Sequence, residues 1–327
     1  MSDKTCLHLL TFSYIKNNKN LSKNHEQLSF NDPSLNRLQI MLSKNLIRST
    51  YQLLFLLLTF ISVPALSADP QHENETTVFD KTFSWQAMGG ISGIYQQSQL
   101  MGVEPSEFED YLNISLLLDV YYKGFFIQSN HRRSDAVTLG GEIGYELIVE
   151  DNWELDIITK TYVQGYQPKE LIKNSDSGIS TLLGLQERDS GEGLGFRYSH
   201  FYDDAILSVD VAALITDGWV ADIFYSKLLP YRNWDIYLGA GLTHYSSQVT
   251  DYFVGVNKNE VSDMRSFYKP GSSYKAQLEV FARYPISQKW SFNGGVTQSY
   301  YSASYNDSPL IGQQHLTQVM LGVLYVF

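Results

Sequence analysis

The chain is nearly free of cysteine. Its one thiol, Cys6, excludes an intrachain disulfide and any cysteine-based metal site. No long apolar run follows Val63, which excludes a membrane-spanning helix beyond that point. Helical periodicity is missing there too. Positive charge is scarce: 24 Lys and Arg stand against 35 Asp and Glu, and a formal net charge of −11 argues against nucleic acid as a partner. Motifs that carry chemistry are equally thin. His72, His131, His200, His244 and His315 accompany no recognisable nucleophile motif. His131 with Ser134 and Asp135 is the one triad-like grouping, and "NHRRSD" reads better as a polar loop tip. "GVNKNE" and "GEGLGF" have no following helix whose N-terminus could hold a phosphate. The carboxylates lack EF-hand spacing, and the sequon at Asn113 to Ser115 falls within a strand pattern. No catalytic residue, cofactor or metal site is expected.

Aromatic residues are plentiful, with 23 Tyr, 17 Phe and 5 Trp. The front of the chain differs from the rest. Residues 41–68 carry Lys44 and Arg48, then an apolar stretch from Leu53 to Val63, then Pro64 and small residues, which is the anatomy of a secretory signal peptide. About 12 apolar residues are too few for the roughly 20 of a membrane-spanning helix. Cleavage is expected after Ser67 or Ala68. Residues 1–40 precede this segment, and two readings stand: a start placed too early, with Met41 the true one, or a long leader. Residues 1–68 hold 7 basic and 3 acidic residues, so the remaining 17 basic and 32 acidic residues give an exported product of net −15. Residues 69–81 are expected to form a short periplasmic lead-in to a domain over 82–327.

Across 82–327 the hydropathy alternates with period two, the signature of strands. Five short turns interrupt it, at 122–124, 150–152, 202–204, 230–233 and 286–289. Longer connections lie at roughly 97–110, 131–136, 167–193, 214–217, 246–273 and 303–312. Five turns and six loops predict twelve antiparallel strands, an all-β transmembrane barrel with short turns at one end. Segment 179–187, "ISTLLGLQE", is either loop or a further strand.

The two faces of each strand separate cleanly. Trp153, Leu155, Ile157, Thr159 and Val163 share a face opposite Glu154, Asp156, Lys160 and Tyr162. Leu139, Ile143, Tyr145, Leu147 and Val149 oppose Glu142 and Glu146; Ala205, Leu207, Val209, Val211 and Ala213 oppose Ser208 and Asp210; Ala276, Leu278, Val280, Ala282 and Tyr284 oppose Gln277, Glu279, Phe281 and Arg283. A soluble sandwich alternates in the same way, and the tryptophans separate the two. Trp153, Trp234 and Trp290 each follow a short turn on the apolar face, and Trp85 opens the first strand. Four indoles at one level suit an interfacial girdle. In the terminal "QVMLGVLYVF", Val319, Leu321, Val323, Tyr325 and Phe327 form one apolar ladder expected to meet outer-membrane lipid. Leu321, Val323, Tyr325 and the terminal Phe327 resemble the signal read by the barrel insertion machinery, an apolar strand with a free edge.

The stretches "GLQERDSGEGLGFRY" (184–198), "YFVGVNKNEVSDMRSFYKPGSSYKAQLEVFARYPISQKW" (252–290) and "YNDSPLIGQ" (305–313) resemble the MipA/OmpV family of outer-membrane barrels, the MltA-interacting proteins. The resemblance covers most of 82–327 and is weaker around 90–135. It implies a Gram-negative outer-membrane location and a non-enzymatic scaffold role for murein hydrolase and synthase complexes. Some members resemble adhesins or antibiotic uptake routes. The rival reading is a narrow diffusion channel. Strand parity places Asp119, Glu142, Glu146, Glu154, Asp156, Asp210, Asp222, Asp235 and Glu279 inside the barrel with only Lys160, Lys275 and Arg283, unless Arg132, Arg133 or Arg197 folds in. Such a lumen favours cations, polycationic solutes included, if it conducts; pairing of the same acids with bases and water in a closed plug is the alternative.

Overall fold

The computed structural model describes residues 12–13, 83–103, 112–128, 141–173 and 180–327. The leader, residues 69–81, His131, Arg132, Arg133, Ser134, Asp135 and Leu139 lie outside the described residues.

Twelve antiparallel strands close on themselves. They are β1 (Phe83–Gln96), β2 (Leu112–Tyr122), β3 (Phe125–Gln128), β4 (Glu142–Val149), β5 (Trp153–Val163), β6 (Gly191–Phe201), β7 (Ala205–Leu214), β8 (Trp219–Tyr231), β9 (Trp234–Tyr245), β10 (Ser273–Pro285), β11 (Trp290–Tyr301) and β12 (His315–Val326). Each strand pairs with its sequence neighbours, and β12 returns to β1 from Gln318↔Gln96 to Val326↔Met88. Closure joins the two ends of the sheet, as crossing a bilayer with strands requires. Over the described residues β3 pairs with Val120 to Tyr122 of β2, and Phe12–Ser13 pairs further along β2, at Leu116 and Ser115.

The turns are as short as the sequence predicts. At the first, Lys123 and Gly124 adopt positive φ of 47° and 87°, the geometry that matches strand twist in a two-residue hairpin. Residues 180–187 are loop, opening on a 3₁₀ turn at Ser180–Leu182, so the count stays at twelve. The alternation follows the pleat. Ile91, Ile143, Leu194, Val211, Leu278 and Leu321 are exposed on the outer face, whereas Asp156, Asp210, Asp222 and Glu279 are buried on the inner one. Register shifts in β4 (Glu146/Ile148) and β5 (Thr161/Val163) break the period locally. One consequence departs from expectation. Val163, assigned to the outward face, packs against the apolar cluster in the barrel mouth, because the extra residue of a bulge reverses the side-chain direction beyond it.

Among the described residues helices occur only in the loops. They are α1 (Pro168–Lys173), α2 (Ser247–Val254) and α3 (Ala303–Asn306). α2 was not legible as periodicity at the scale of a strand pattern. Among the described residues no helix is long and apolar enough to cross a membrane.

Candidate functional site

The inner wall is built from alternate strand residues, and its centre is ionic. Arg197 of β6 reaches across two strands: its guanidinium donates to Asp156 Oδ2 of the adjacent β5 at 3.1 and 3.3 Å and pairs with Glu142 of β4 beyond it. Gln128 Nε2 donates to the same Glu142 at 2.6 Å. Lys160 pairs with Asp210, Thr243 donates to Asp222 at 2.6 Å, and the Tyr121 hydroxyl donates to Glu146 at 2.7 Å. Arg197 also lies 5.6 Å from the centre of the Phe126 ring. Removing these charges from water is costly, and the attraction repays it only where geometry and extra hydrogen bonds are good. At Arg197 one planar fork meets two carboxylates, which is such a case. Asp119 and Glu279 are buried, Glu154 is half-buried, and Asp235 stands in register with Arg283 across β9 and β10, both half-buried. Arg197, left conditional by the sequence, therefore folds in, and the count becomes nine acids against Arg197, Lys160, Lys275 and Arg283.

Below this layer, at the end of the short turns, a cavity of about 430 Å³ is lined by Asp119, Glu146, Glu154, Asp156 and Arg197, with Trp85 and Phe327 on its rim. Four carboxylates against one guanidinium make it an acidic vestibule.

The other end is filled by its own loops. α2 buries Val249, Thr250, Phe253 and Val254 in the mouth, where they join Tyr162, Ala212, Leu214, Val220, Tyr245 and Ile311. The wall opposite is made for this. β6 turns Gly191, Gly193 and Gly195 inward, and a Cβ on Gly193 would lie 2.7 Å from Leu214 Cδ2 and 3.1 Å from the Tyr162 ring; one on Gly191 would meet Phe253 at 3.1 Å. Glycine here makes room for Leu214 and Tyr162 of the adjacent strands and for Phe253 of the plug.

The plug is tied at its outer surface. Glu260 takes both Oε atoms to Arg188 Nη2, at 2.9 and 3.0 Å, and also accepts from the backbone N–H groups of Asn257 and Gln186 at 3.0 Å each. Burial works against its charge, but those N–H groups and the Arg188 guanidinium outweigh it and hold the carboxyl below the ordinary glutamate range. Arg265 donates to the Glu260 carbonyl at 2.8 Å and to the Leu183 carbonyl at 3.2 Å, and also bonds the Thr181 carbonyl. Thr181 in turn donates to Met101, Tyr166 to Phe253 at 2.8 Å, and Ser308 to Val254 at 2.6 Å. Four loops are thus stitched into one cap. The sequence carried two signals for it. Asn257 to Glu260 is a capping box, and three alternate glycines in a strand mark a close approach.

The remaining sequence-predicted residues lie at the rims. Trp153 packs on Tyr198 (5.8 Å between ring centres), Trp234 on Tyr284 (4.9 Å), and Trp290 on Tyr325 (4.9 Å). Trp85 is 58% exposed. All four sit beside the short turns. A second aromatic level, Trp219 with His244 and Tyr274, stands at the loop end. On β12, Leu321 and Phe327 are 56% and 67% exposed, Val323 and Tyr325 are half-buried, and the Phe327 ring lies 3.4 Å from where a Gly89 Cβ would stand. Among the described residues no group of three His, Cys, Asp or Glu is placed to hold a metal.

A closed barrel with this plug matches one family model, that of the MltA-interacting protein MipA, over residues 89–327. The chain belongs to the MipA family. As a MipA-family barrel it is an outer-membrane protein. It is 29% identical over 196 residues to the MltA-interacting protein of Escherichia coli strain K12, covering 58% of this chain and 75% of that one. It is 21% identical over 246 residues to a 24 kDa outer membrane protein of Pasteurella multocida, covering 72% of this chain and 86% of the relative. Among solved structures, the outer membrane channel DcaP of Acinetobacter baumannii is similar with a TM-score of 0.36 at 8% identity, covering 75% of this chain and 97% of that one. Within that match, the stretches 184–198 and 252–290 hold Arg188, the three inward glycines, Arg197, Glu260 and Arg265.

Proposed function

We propose that this MipA-family barrel is a non-enzymatic scaffold. It is closed toward the cell surface and offers its short turns to a murein hydrolase or synthase in the periplasm. The observation that supports this reading is the plug: α2 and four loops fill the mouth around one buried Arg188–Glu260 pair. A mouth built for passage gains nothing from such a cap, whereas a rigid, closed cylinder is a stable platform for its turns. The MltA-interacting name of the Escherichia coli relative supports the partner class, a murein-active enzyme. The girdle of Trp85, Trp153, Trp234 and Trp290 would then mark the inner headgroup level, just above the displayed turns.

The experiment has two arms. In planar bilayers the intact protein should show no open-state conductance, and immobilised protein should retain MltA from solution. Steady conductance without the enzyme bound would reverse the ranking of the two readings. The second reading, a cation-leaning channel, draws on the acidic vestibule. Under it, removing residues 247–268 should open a conductance whose reversal potential in a salt gradient has the cation sign.

A further inference from the structure

The lipid-facing wall is not smooth. A groove of about 540 Å³ crosses it from β8 to β11. Its floor is one small side chain. Ala240 of β9 stands in register between Tyr225 of β8 and Leu278 of β10, a methyl between two long side chains. Leu238, Val280 and Val296 complete the walls. On β9 the outward row runs from Trp234, beside a short turn, to His244, which packs between Trp219 and Tyr274 at the loop end. Leu238 and Ala240 lie between these two aromatic levels, so the groove opens to hydrocarbon. From β8 to β11 it spans three strand spacings, about 14 Å, close to one leaflet's share of a core about 30 Å thick.

One end of the groove is charged. Lys227 lines it, on the outward face of β8 in register with Leu238. An ammonium is out of place in an apolar row, and a long basic side chain there reaches for the boundary. The boundary is close because the strands are staggered. Ala205, the first residue of β7, also stands in register with Lys227, so the turn at 202–204 ends beside it. Asp204 of that turn pairs with Lys227 Nζ at 3.2 Å, and the two side chains are 53% and 40% exposed. An ammonium has three donors and a carboxylate several acceptor sites, so one mutual contact leaves both able to bind a further group. The far end is closed by Gln298, whose Oε1 accepts from the Thr317 hydroxyl at 2.7 Å.

We propose that this groove binds one phospholipid with a zwitterionic phosphoethanolamine head. One acyl chain lies over Ala240, the phosphate meets Lys227, and the ammonium meets Asp204. A purely anionic head gains Lys227 but is repelled by Asp204, whereas a head that carries both signs complements the pair. The pair stands at the short-turn end, which places the lipid in the leaflet facing the periplasm. Neither the scaffold reading nor the channel reading requires this site.

The test uses the full chain refolded into vesicles of equal parts phosphatidylethanolamine and phosphatidylglycerol, extracted into detergent and weighed by native mass spectrometry. One retained lipid per barrel is expected, with phosphatidylethanolamine favoured by about two- to fivefold, the worth of one exposed ion pair. Asp204→Asn removes the partner of the ammonium and should turn the preference toward phosphatidylglycerol. Lys227→Met should lower retention of both. Ala240→Phe, which fills the groove from its floor, should lose the lipid of either kind. All three changes lie on the outer wall or in a turn, and heat-modifiability on a gel checks that each variant folds. The proposal is overturned if no lipid is retained, if the two lipids are retained in the ratio of the vesicle, or if Ala240→Phe retains as much as the wild type. A lipid-free dimer that Ala240→Phe splits would give the groove to a second copy and overturn it as well.

Discussion

Arg197 shows how much one residue decides inside this barrel. It serves Glu142 and Asp156 at once and sits 5% exposed, so removing it leaves two buried carboxylates with their charge uncompensated. Arg197→Met is expected to destabilise the barrel by about 3–5 kcal/mol, the usual result of breaking a buried ion pair from one side. The measurement is the urea midpoint for unfolding from lipid vesicles. The triple variant E142Q/D156N/R197M should recover most of the loss, because the charges to be compensated are gone as well. An unchanged midpoint for the single variant would mean that water already screens the site. The acids around Arg197 were legible in the sequence because each alternates with an apolar neighbour. Arg197 was not, since its inward companions on β6 are Gly191, Gly193 and Gly195, which carry no hydropathy signal. Their message is steric instead, and it became legible only with Phe253, Tyr162 and Leu214 packed against them.

At the scale of elements, strands and loops were legible to different degrees for one physical reason. A strand that faces two solvents must alternate, so period two exposes it, and turns of two to four residues punctuate it. A loop folded into a barrel mouth meets side chains from six strands at once, and its eight-residue helix α2 is too short to declare a period. What holds α2 in place is the Glu260 knot. Glu260→Gln keeps the shape but loses the charge that Arg188 and two backbone N–H groups address. The Gln186 and Asn257 amides should then exchange with solvent faster by about tenfold or more, for a loss of about 1.4 kcal/mol or more. Protonation should act similarly. The folded carboxyl titrates below its ordinary value of 4.5, so its contribution is complete above that value and is lost as the pH falls through the lower, folded value. Protection of both amides in the wild type should therefore collapse toward that of the Glu260→Gln variant only below about pH 4.5. Exchange that already matches at pH 7 would remove Glu260 from the role.

At the scale of the whole molecule, the barrel has a single seam that joins distant parts of the chain, β12 against β1. Every other neighbouring pair is linked by one connection in sequence, so it can form locally as the chain folds, and the seam must form last by contact order. Its turn-side end is Phe327, whose N–H donates to the Ala87 carbonyl at 3.2 Å and whose ring packs edge-on to Tyr325 at 5.2 Å between centres. Tyr325 in turn stacks on Trp290, so one aromatic run crosses from β11 to the seam. Phe327→Asp would put a carboxylate at the membrane rim, where the cost for an acidic side chain is modest, about 0–1 kcal/mol, too little to unfold a finished barrel. If Phe327 serves only stability, the variant should therefore assemble at normal abundance and melt slightly earlier. If Phe327 and the ladder above it are what the insertion machinery grips, the same variant should fail before assembly and persist only as an unfolded, protease-sensitive periplasmic species. Yet the purified chain should still refold in detergent to a heat-modifiable form. We expect the second pair of results, read from heat-modifiability of outer-membrane fractions beside refolding in vitro, because the one thing Asp removes at low energetic cost is the apolar end of a free strand edge.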